Sequence, residues 1–403
     1  MATTTSKAQI SDRLLNMSQS ATIEMAQMAR DLKSKGHNVI SLSLGEPDFD
    51  TPDHIKEAAK QALDDGYTKY TPVNGLVELR EAISTKFKRD NNLDYSTDQI
   101  VVSNGAKQSI ANISLSLLNE GDEVIILTPY WVSYFEIVKL GGGTPVPVYA
   151  GIEKDYKVSA ADIEAAITDK TRFILFSSPC NPTGSVYSYE ELEAIANVVA
   201  KYNDLLIVSD EIYEYINFVG KHISIGSFPA VKDRTITVNG FAKGFAMTGW
   251  RLGYMGAPKW VASACTKMQG QFTSGANSFG QKAAAYALLS DMSPTHKMRE
   301  AFKSRKALVT KLLKEIPGFN VNDPDGAFYV FPDISHYIGK KFEDIVIETD
   351  ADFCMFLLKN CHVAVVQGSA FGAPGCFRLS YAASEEHLIE AIRRIKECVG
   401  KLS

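Results

Sequence analysis

Near-continuous apolar runs rich in β-branched residues recur at 99–103, 123–127, 172–176, 205–209, 235–239 and 251–255, each closed by a polar or glycine-bearing turn. A strand with one face in water alternates apolar and polar residues; most of these runs do not, so they predict strands covered on both faces. Between several of them apolar residues fall at helical spacing. Ala106, Ile110, Ile113 and Leu117 share one face, as do Leu192, Ile195 and Val199. Strand and helix in alternation predict an α/β fold with a mostly parallel central sheet flanked by helices.

The ends of the chain break this pattern. Residues 1–50 read as a helix and then an extended segment at 39–44 running into Gly45, Glu46, Pro47 and Asp48. From residue 291 a long charged helix is followed by short strands at 327–331, 363–366 and 377–380 and by a terminal amphipathic helix. The expected organisation is a large domain over 51–290 and a smaller α+β domain assembled from 1–50 and 291–403, and 403 residues are ample for both. No Pro/Gly/Ser-rich linker marks the boundary near 290.

Charge and cysteine usage narrow the partners. Lys and Arg (42) are interspersed with Asp and Glu (47) for a formal charge of -5, and no basic stripe stands out, so no nucleic-acid partner is expected. No stretch reaches the roughly 18 apolar residues of a bilayer span, and the opening MATTTSKAQISDRLLNMS lacks a signal-peptide core, so the expectation is a cytoplasmic protein without a membrane partner. Cys180, Cys265, Cys354, Cys361, Cys376 and Cys398 form no CxxC pair and read as free thiols in a reducing compartment. The 7 histidines show no HxH or HExxH spacing, and no metal site is expected.

Ligands of such sheets bind beyond the carboxyl ends of the strands, where the polar residues are few. Gly105 closes the first run and leads straight into a helix at Ala106, Lys107 and Gln108. That is either a plain turn or a phosphate site built from free N–H groups and the helix dipole. It is neither a P-loop nor a GxGxxG, which removes a nicotinamide dehydrogenase. In Ser178-Pro179-Cys180-Asn181-Pro182-Thr183-Gly184 two prolines stiffen a backbone that either turns or aims Asn181 at a ligand. Asp210, directly after an apolar strand, is a helix cap or a functional acid. Lys243 sits among small residues and aromatics, and is a surface lysine or one whose ammonium form is disfavoured, as carbonyl chemistry requires.

The motifs taken together decide between these readings. Gly240-Phe241-Ala242-Lys243, then Met247-Thr248-Gly249-Trp250-Arg251-Leu252-Gly253, resembles the lysine signature of class I pyridoxal-phosphate-dependent aminotransferases. The family's other motifs follow in order: Gly45 before Glu46-Pro47-Asp48, Tyr67-Thr68-Lys69-Tyr70-Thr71-Pro72, Gly105-Ala106-Lys107, Pro129-Tyr130-Trp131, Asn181-Pro182-Thr183-Gly184, Asp210-Glu211-Ile212-Tyr213 and Phe377-Arg378-Leu379-Ser380-Tyr381-Ala382. The resemblance spans nearly the whole chain. It is nearest to the bacterial-type aspartate aminotransferase subgroup, whose Gly-Lys-Gln stands here as Ala106-Lys107-Gln108.

That resemblance implies a fold-type I enzyme using pyridoxal 5'-phosphate. Lys243 would carry the pyridoxal aldehyde covalently and, once displaced, serve as the base. Asp210 would keep the pyridine nitrogen protonated, Tyr213 and Asn181 would bond the ring oxygen, and Trp131 would stack on the ring. Arg251 and the backbone of Gly105 and Ala106 would hold the phosphate. Lys107 would reach over the cofactor to the distal carboxylate of the substrate. Arg378 would clamp the α-carboxylate, aided by Trp131, Asn181 and the Gly45 N–H. Tyr70 would reach the phosphate of a neighbouring subunit, implying a homodimer with shared sites. Cis peptides are implied at Thr128-Pro129 and Asn181-Pro182. Gly240 and Ala242 depart from members that carry serines there.

The implied activity is aspartate aminotransfer: a ping-pong exchange taking the amino group of L-aspartate to 2-oxoglutarate and giving oxaloacetate and L-glutamate. An aspartate/prephenate or aromatic aminotransferase is the alternative, since Thr22 in Ser20-Ala21-Thr22 resembles a position of prephenate-using members. A β-lyase on the same scaffold would share Lys243, Asp210 and Arg378 without needing a second carboxylate-binding lysine. A regulatory module that keeps the cofactor without turnover would carry a winged-helix segment, for which 403 residues leave no room.

Overall fold

The computed structural model describes residues 10–403. Its strands in chain order are β1 Ile40–Ser41, β2 Ile100–Ser103, β3 Glu123–Thr128, β4 Thr144–Tyr149, β5 Thr171–Ser177, β6 Leu206–Asp210, β7 Thr235–Gly240, β8 Gly253–Gly256, β9 Tyr329–Val330, β10 Lys341–Phe342, β11 Ile345–Val346, β12 Val363–Ala364, β13 Val366–Gln367 and β14 Phe377–Ser380. Seven of them form the central sheet, in the order β2-β8-β7-β6-β5-β3-β4. All neighbours are parallel except β8, which runs against both β2 and β7.

Both faces of this sheet are covered, as the unbroken apolar runs require. Ile125, Ile174 and Ile207 pack with Leu192, Ile195 and Val199 of helix Tyr189–Val199. Their sequence neighbours Val124, Phe173 and Val208 point the other way, against Ile110, Ile113 and Leu117 of helix Ala106–Leu117. Ser188 opens helix Tyr189–Val199 with a reciprocal cap: it accepts from the Glu191 N–H, and Glu191 accepts from its own N–H.

Strand β4 has no counterpart in the expected runs. Its sequence, TPVPVY, holds two prolines and reads as a loop. The prolines fit because β4 is an edge strand: Thr144 and Ala150 donate toward β3, so the even positions face the partner and Pro145 and Pro147 face outward. No ladder bond is lost. Strand β8 starts two residues later than expected, since Arg251 adopts a left-handed φ of 55° after the turn Thr248–Trp250.

The segments before and after the central sheet are built together. β1 pairs in parallel with β12, Ile40 opposite Val363, and the Ser380 N–H donates to Leu42 O at 2.9 Å. Met25 and Ala29 of helix Ala21–Ser34 enter one core with Phe302 and Val309 of helix Ser293–Lys314, Leu379 of β14 and Ile392 of helix Glu385–Val399. β13, β14 and β9 form a small antiparallel sheet beside it.

Two expectations need correction. Cis peptides occur at Thr128–Pro129 and Ser178–Pro179, not at Asn181–Pro182. The latter bond lies inside a tight turn closed by the Gly184 N–H on Cys180 O at 2.9 Å. Nor are all six cysteines free: Cys361 and Cys398 form a disulfide, leaving Cys180, Cys265, Cys354 and Cys376 as thiols. The pair is 37 residues apart and meets only because helix Glu385–Val399 packs on the turn Leu357–Cys361, which no local spacing announces. Among the described residues no helix is long and apolar enough to cross a membrane.

Candidate active site

β2 and β5–β7 end at one edge of the sheet, at Ser103, Ser177, Asp210 and Gly240. Beyond that edge lies a cavity of ≈ 240 Å³, closed by Gly45, Tyr329 and Arg378 from the terminal segments. Of the residues singled out in the sequence, Gly45, Gly105, Ala106, Lys107, Trp131, Asn181, Asp210, Tyr213, Lys243, Arg251 and Arg378 all line it. Tyr70 does not: it is 99% exposed on the outer surface of the chain.

Asp210 is delivered by β6 into a dry setting. Burial pushes its carboxyl up to about 6, although the Tyr134 hydroxyl donates to Oδ2 at 2.6 Å and the Ile212 N–H to Oδ1 at 3.2 Å. Lys243 follows β7 and donates through Nζ to the Gly45 carbonyl. Its ammonium is brought down to about 8, first by burial and then by the positive charge of Arg378, with Arg251 adding to it. A lysine of this kind has a neutral amine within reach near neutral pH.

Arg251 and Gly105 form a cradle. Gly105 caps helix Ala106–Leu117 at φ 86°, which favours glycine, and a Cβ there would stand 2.5 Å from Arg251 Nη2. Gly253 must also lack a side chain, since its Cβ would lie 2.2 Å from the Ala106 nitrogen. The guanidinium is thereby brought against a helix N-terminus, where free N–H groups and the helix dipole favour an anion.

Arg378, on β14, is only 1% exposed. Nη1 donates to Asn181 Oδ1 at 2.8 Å, Nη2 to Ser43 O at 2.6 Å, and the guanidinium stacks 4.5 Å from the Tyr329 ring centre. Lys107 lies 4.9 Å over the Trp131 ring, and burial followed by the charge of Arg251 lowers its pKa. Tyr213 meets the Tyr329 hydroxyl at 2.7 Å. Gly45 leaves room for that hydroxyl, which a Cβ would approach to 2.3 Å.

Lys107, Lys243, Arg251 and Arg378 thus surround Asp210, the one acid among the described lining residues. Such a lining suits a ligand bearing several negative charges. Three lining donors, Thr22 Oγ1, Ser177 Oγ and Arg378 Nε, are buried without a hydrogen-bond partner in the chain. An aromatic group with a phosphate and a reactive carbonyl would fit this lining: the cradle would take the phosphate, Trp131 and the Asn181 side would offer walls, Asp210 would accept from a ring nitrogen, and Lys243 would reach the carbonyl.

Two tyrosines of the site escaped the sequence reading. Tyr134 sits three residues after Trp131, at the start of helix Ser133–Leu140, and its ring stands edge-on to the indole at 5.5 Å. That spacing on a helix was the available signal. Tyr329 belongs to β9, far from every motif, and nothing local distinguishes it from a core tyrosine. Thr22 does line the cavity, with its Oγ1 buried and unpartnered.

Residues 37–395 match the family described as aminotransferase class I and II. The chain is 47% identical over 401 residues to a probable aspartate/prephenate aminotransferase of Rhizobium leguminosarum bv. phaseoli, covering 97% of this chain and 98% of that one. The crystal structure of an aspartate aminotransferase from Rhizobium meliloti superposes with a TM-score of 0.95 at 41% identity, covering 98% of this chain and 100% of the other. An aspartate aminotransferase from Thermus thermophilus with maleate gives 0.90 at 40% identity, covering 97% and 99%.

Proposed function

The chain belongs to the class I and II aminotransferases, in the aspartate aminotransferase subgroup, and from this premise we propose that it moves the amino group of L-aspartate to 2-oxoglutarate in a ping-pong cycle with pyridoxal 5'-phosphate. When bound, that cofactor supplies an aldehyde that takes up the amino group and a protonated ring that draws electrons from the substrate Cα.

The observation that carries this reading is the pairing of Lys243, lowered to about 8, with Asp210 in one cavity that also holds Arg378. Lys243 takes the proton from the substrate Cα, a task for which a base poised near the working pH is best suited. Asp210, ionised and held by Tyr134, keeps a proton on the ring nitrogen. Arg251 and the N–H groups of Gly105 and Ala106 hold the phosphate. Asn181 and Tyr213 donate to the ring oxygen, and Trp131 packs on the ring. Arg378 binds the α-carboxylate in a fork that Asn181 and Ser43 keep in plane, fixing the Cα–H bond within reach of Lys243. The Gly45 N–H supports the same carboxylate.

Dicarboxylate choice rests on Lys107. A lysine in the first turn of a helix is unfavourable against the helix dipole, and a carboxylate ligand compensates. Maleate, the ligand named for the Thermus relative, is itself a dicarboxylate. Truncating one partner of a desolvated charge pair costs about 2 to 5 kcal/mol, so Lys107→Ala should lower kcat/KM for aspartate about 30-fold or more and leave phenylalanine nearly unchanged. An equal loss for both substrates would remove the dicarboxylate assignment. Prephenate is a second acceptor favoured by one observation, the unpartnered Thr22 Oγ1 in the cavity wall; prephenate in the same assay decides it.

The architecture completes the proposal. A large domain over 51–290 carries the cofactor, and 1–50 with 291–403 forms the small domain that brings Arg378; the pairing of β1 with β12 supports this division. Tyr70 serves the phosphate of a second copy in a cytoplasmic homodimer. Its full exposure supports that role, as do the exposed Phe272, Tyr286 and Leu289 on the helices flanking the loop to which Thr71 is hydrogen-bonded.

A further inference from the structure

The turn that presents Asp210 and Tyr213 to the cavity has a second side. Residues 211–216 follow β6 in a tight turn, with the Glu214 N–H on Glu211 O at 3.0 Å and the Ile216 N–H on Tyr213 O at 2.8 Å. Asp210 and Tyr213 face forward into the cavity. Glu211 and Glu214 face back, and they are 1% and 5% exposed. Two acids hidden behind the site take no part in the proposed chemistry.

Their partners come from a different part of the chain. Lys86, fully buried at the end of helix Val77–Lys86, forms an ion pair with Glu214. It also donates to Asn91 Oδ1 at 2.6 Å, and Asn91 returns its amide to Glu214 Oε2 at 2.8 Å. The same amide reaches toward Glu211 Oε2 at 3.5 Å, where His222 Nε2 lies at 2.9 Å. Ser209 and Ser224 donate to Glu211 Oε1 at 3.0 and 2.7 Å. Glu211, Glu214 and His222 lie close enough together to hold a metal ion, yet the Lys86 ammonium already supplies the cation at Glu214.

A buried ion pair gives little net stability, because desolvation offsets the attraction, and apolar residues of similar volume often serve as well or better. A role other than holding the fold is therefore the better account of this one. We propose that Lys86 and Glu214 are positioning residues for aminotransfer: with Asn91 they clamp the 211–216 turn from behind, so that Asp210 and Tyr213 meet the cofactor in one fixed orientation. This rests on the function proposed above. A misplacement of about 1 Å can cost on the order of 100-fold in rate; Glu211 is anchored separately by Ser209, Ser224 and His222, so the clamp acts on the Glu214 end of the turn.

The test compares holoenzymes. Lys86→Met alone would strand a buried carboxylate, so the main variant is the charge-free pair Lys86→Met with Glu214→Leu. Three readouts are expected: a melting temperature within a few degrees of the parent, the loss coming from the Asn91 amide left without its two partners, kcat for aspartate down about tenfold or more with KM within about threefold, and a weaker circular-dichroism band of the bound cofactor, which reports its fixed orientation. In an Asp210→Asn background the same pair should cost much less, since the residue it positions is already disabled. Should the pair variant fail to fold, Asn91→Ala removes the bridge without stranding a charge, and about a threefold or greater fall in kcat with the same dichroism change is expected. Parent-like kcat and dichroism in whichever variant folds overturn the proposal, as does an undiminished effect in the Asp210→Asn background. If the parent itself fails to transaminate aspartate, the function assigned above falls, while the dichroism comparison still tests the clamp.

Discussion

Replacing Lys243 by methionine should stabilise the cofactor-free protein, and only over a defined pH range. The partly buried ammonium has its pKa moved from 10.5 to about 8, which at 1.36 kcal/mol per pH unit is a cost of about 3 kcal/mol. The folded amine binds its proton less tightly than the unfolded one, so charging it opposes folding. That cost is complete below about pH 8, where both states carry the proton, and it fades between 8 and 10.5, where only the unfolded state does. Methionine keeps the length and the apolar stem but carries no charge. With an unfolding entropy of about 2.1 cal/mol/K per residue, 3 kcal/mol over 403 residues raises the melting temperature by roughly 3 to 4 °C. Thermal melts of both proteins from pH 7 to 9.5 should show this gap shrinking to about half by pH 9.5. A gap independent of pH would mean that packing, not desolvation of Lys243, sets the difference. A methionine variant less stable throughout would refute the reasoning outright.

Two further outcomes follow from the site. The Tyr134 hydroxyl lowers the pKa of Asp210 against the upward push of burial, so in Tyr134→Phe cofactor affinity should start to fall at a higher pH on acidification than in the parent, where the relevant value is about 6; titrating cofactor binding between pH 5 and 8 checks this, and an unmoved midpoint would make Tyr134 a packing residue only. If Tyr70 acts on the partner's site, inactive Lys243→Ala and Tyr70→Phe subunits should regain activity on mixing, since half of the sites in mixed dimers carry neither defect; no recovery after subunit exchange would place Tyr70 outside the site.

The central sheet was legible because burial on both faces writes an unbroken apolar run, and β3, β5, β6 and β7 are of that kind. Strand β4 was not, since an edge strand is free to carry Pro145 and Pro147 wherever the backbone N–H would point outward. The site divides on similar lines. Gly105, Asp210 and Lys243 sit where a strand turns into the next element, so their positions are readable locally, while their roles come only from the family resemblance. Tyr134 and Tyr329 act through contacts made in three dimensions, with Asp210 and Tyr213 respectively, and a tyrosine in a helix or a buried strand looks the same whether or not its hydroxyl meets such a partner. Lys86, Glu214 and Asn91 were hidden more deeply: a lysine in a helix reads as a solvated charge, and only the packing of the helix end behind β6 makes it a buried one.

The anion-binding arginines also bear on proton transfer. Arg378 follows burial as the largest influence lowering the Lys243 pKa, and Arg251 acts in the same direction. In the proposed function both would be neutralised by ligand, Arg251 by a phosphate and Arg378 by an α-carboxylate. Before binding, their charge favours the neutral amine, the form able to attack a carbonyl. Once both anions are seated their repulsion is cancelled, and the amine's affinity for a proton rises. In the proposed reaction Lys243 would therefore be the stronger base when a substrate Cα–H bond is held in front of it. A substrate analogue without the α-carboxylate leaves Arg378 uncompensated and that gain unrealised, so removing the carboxylate should reduce kcat as well as binding. Glu46 and, less strongly, Asp210 oppose the arginines' effect on Lys243, and Asp210 is tied in place by Tyr134. Carboxylate recognition and base strength are thus, in the proposed function, properties of one charge arrangement, in which a single acid stands among four cations in the described cavity lining.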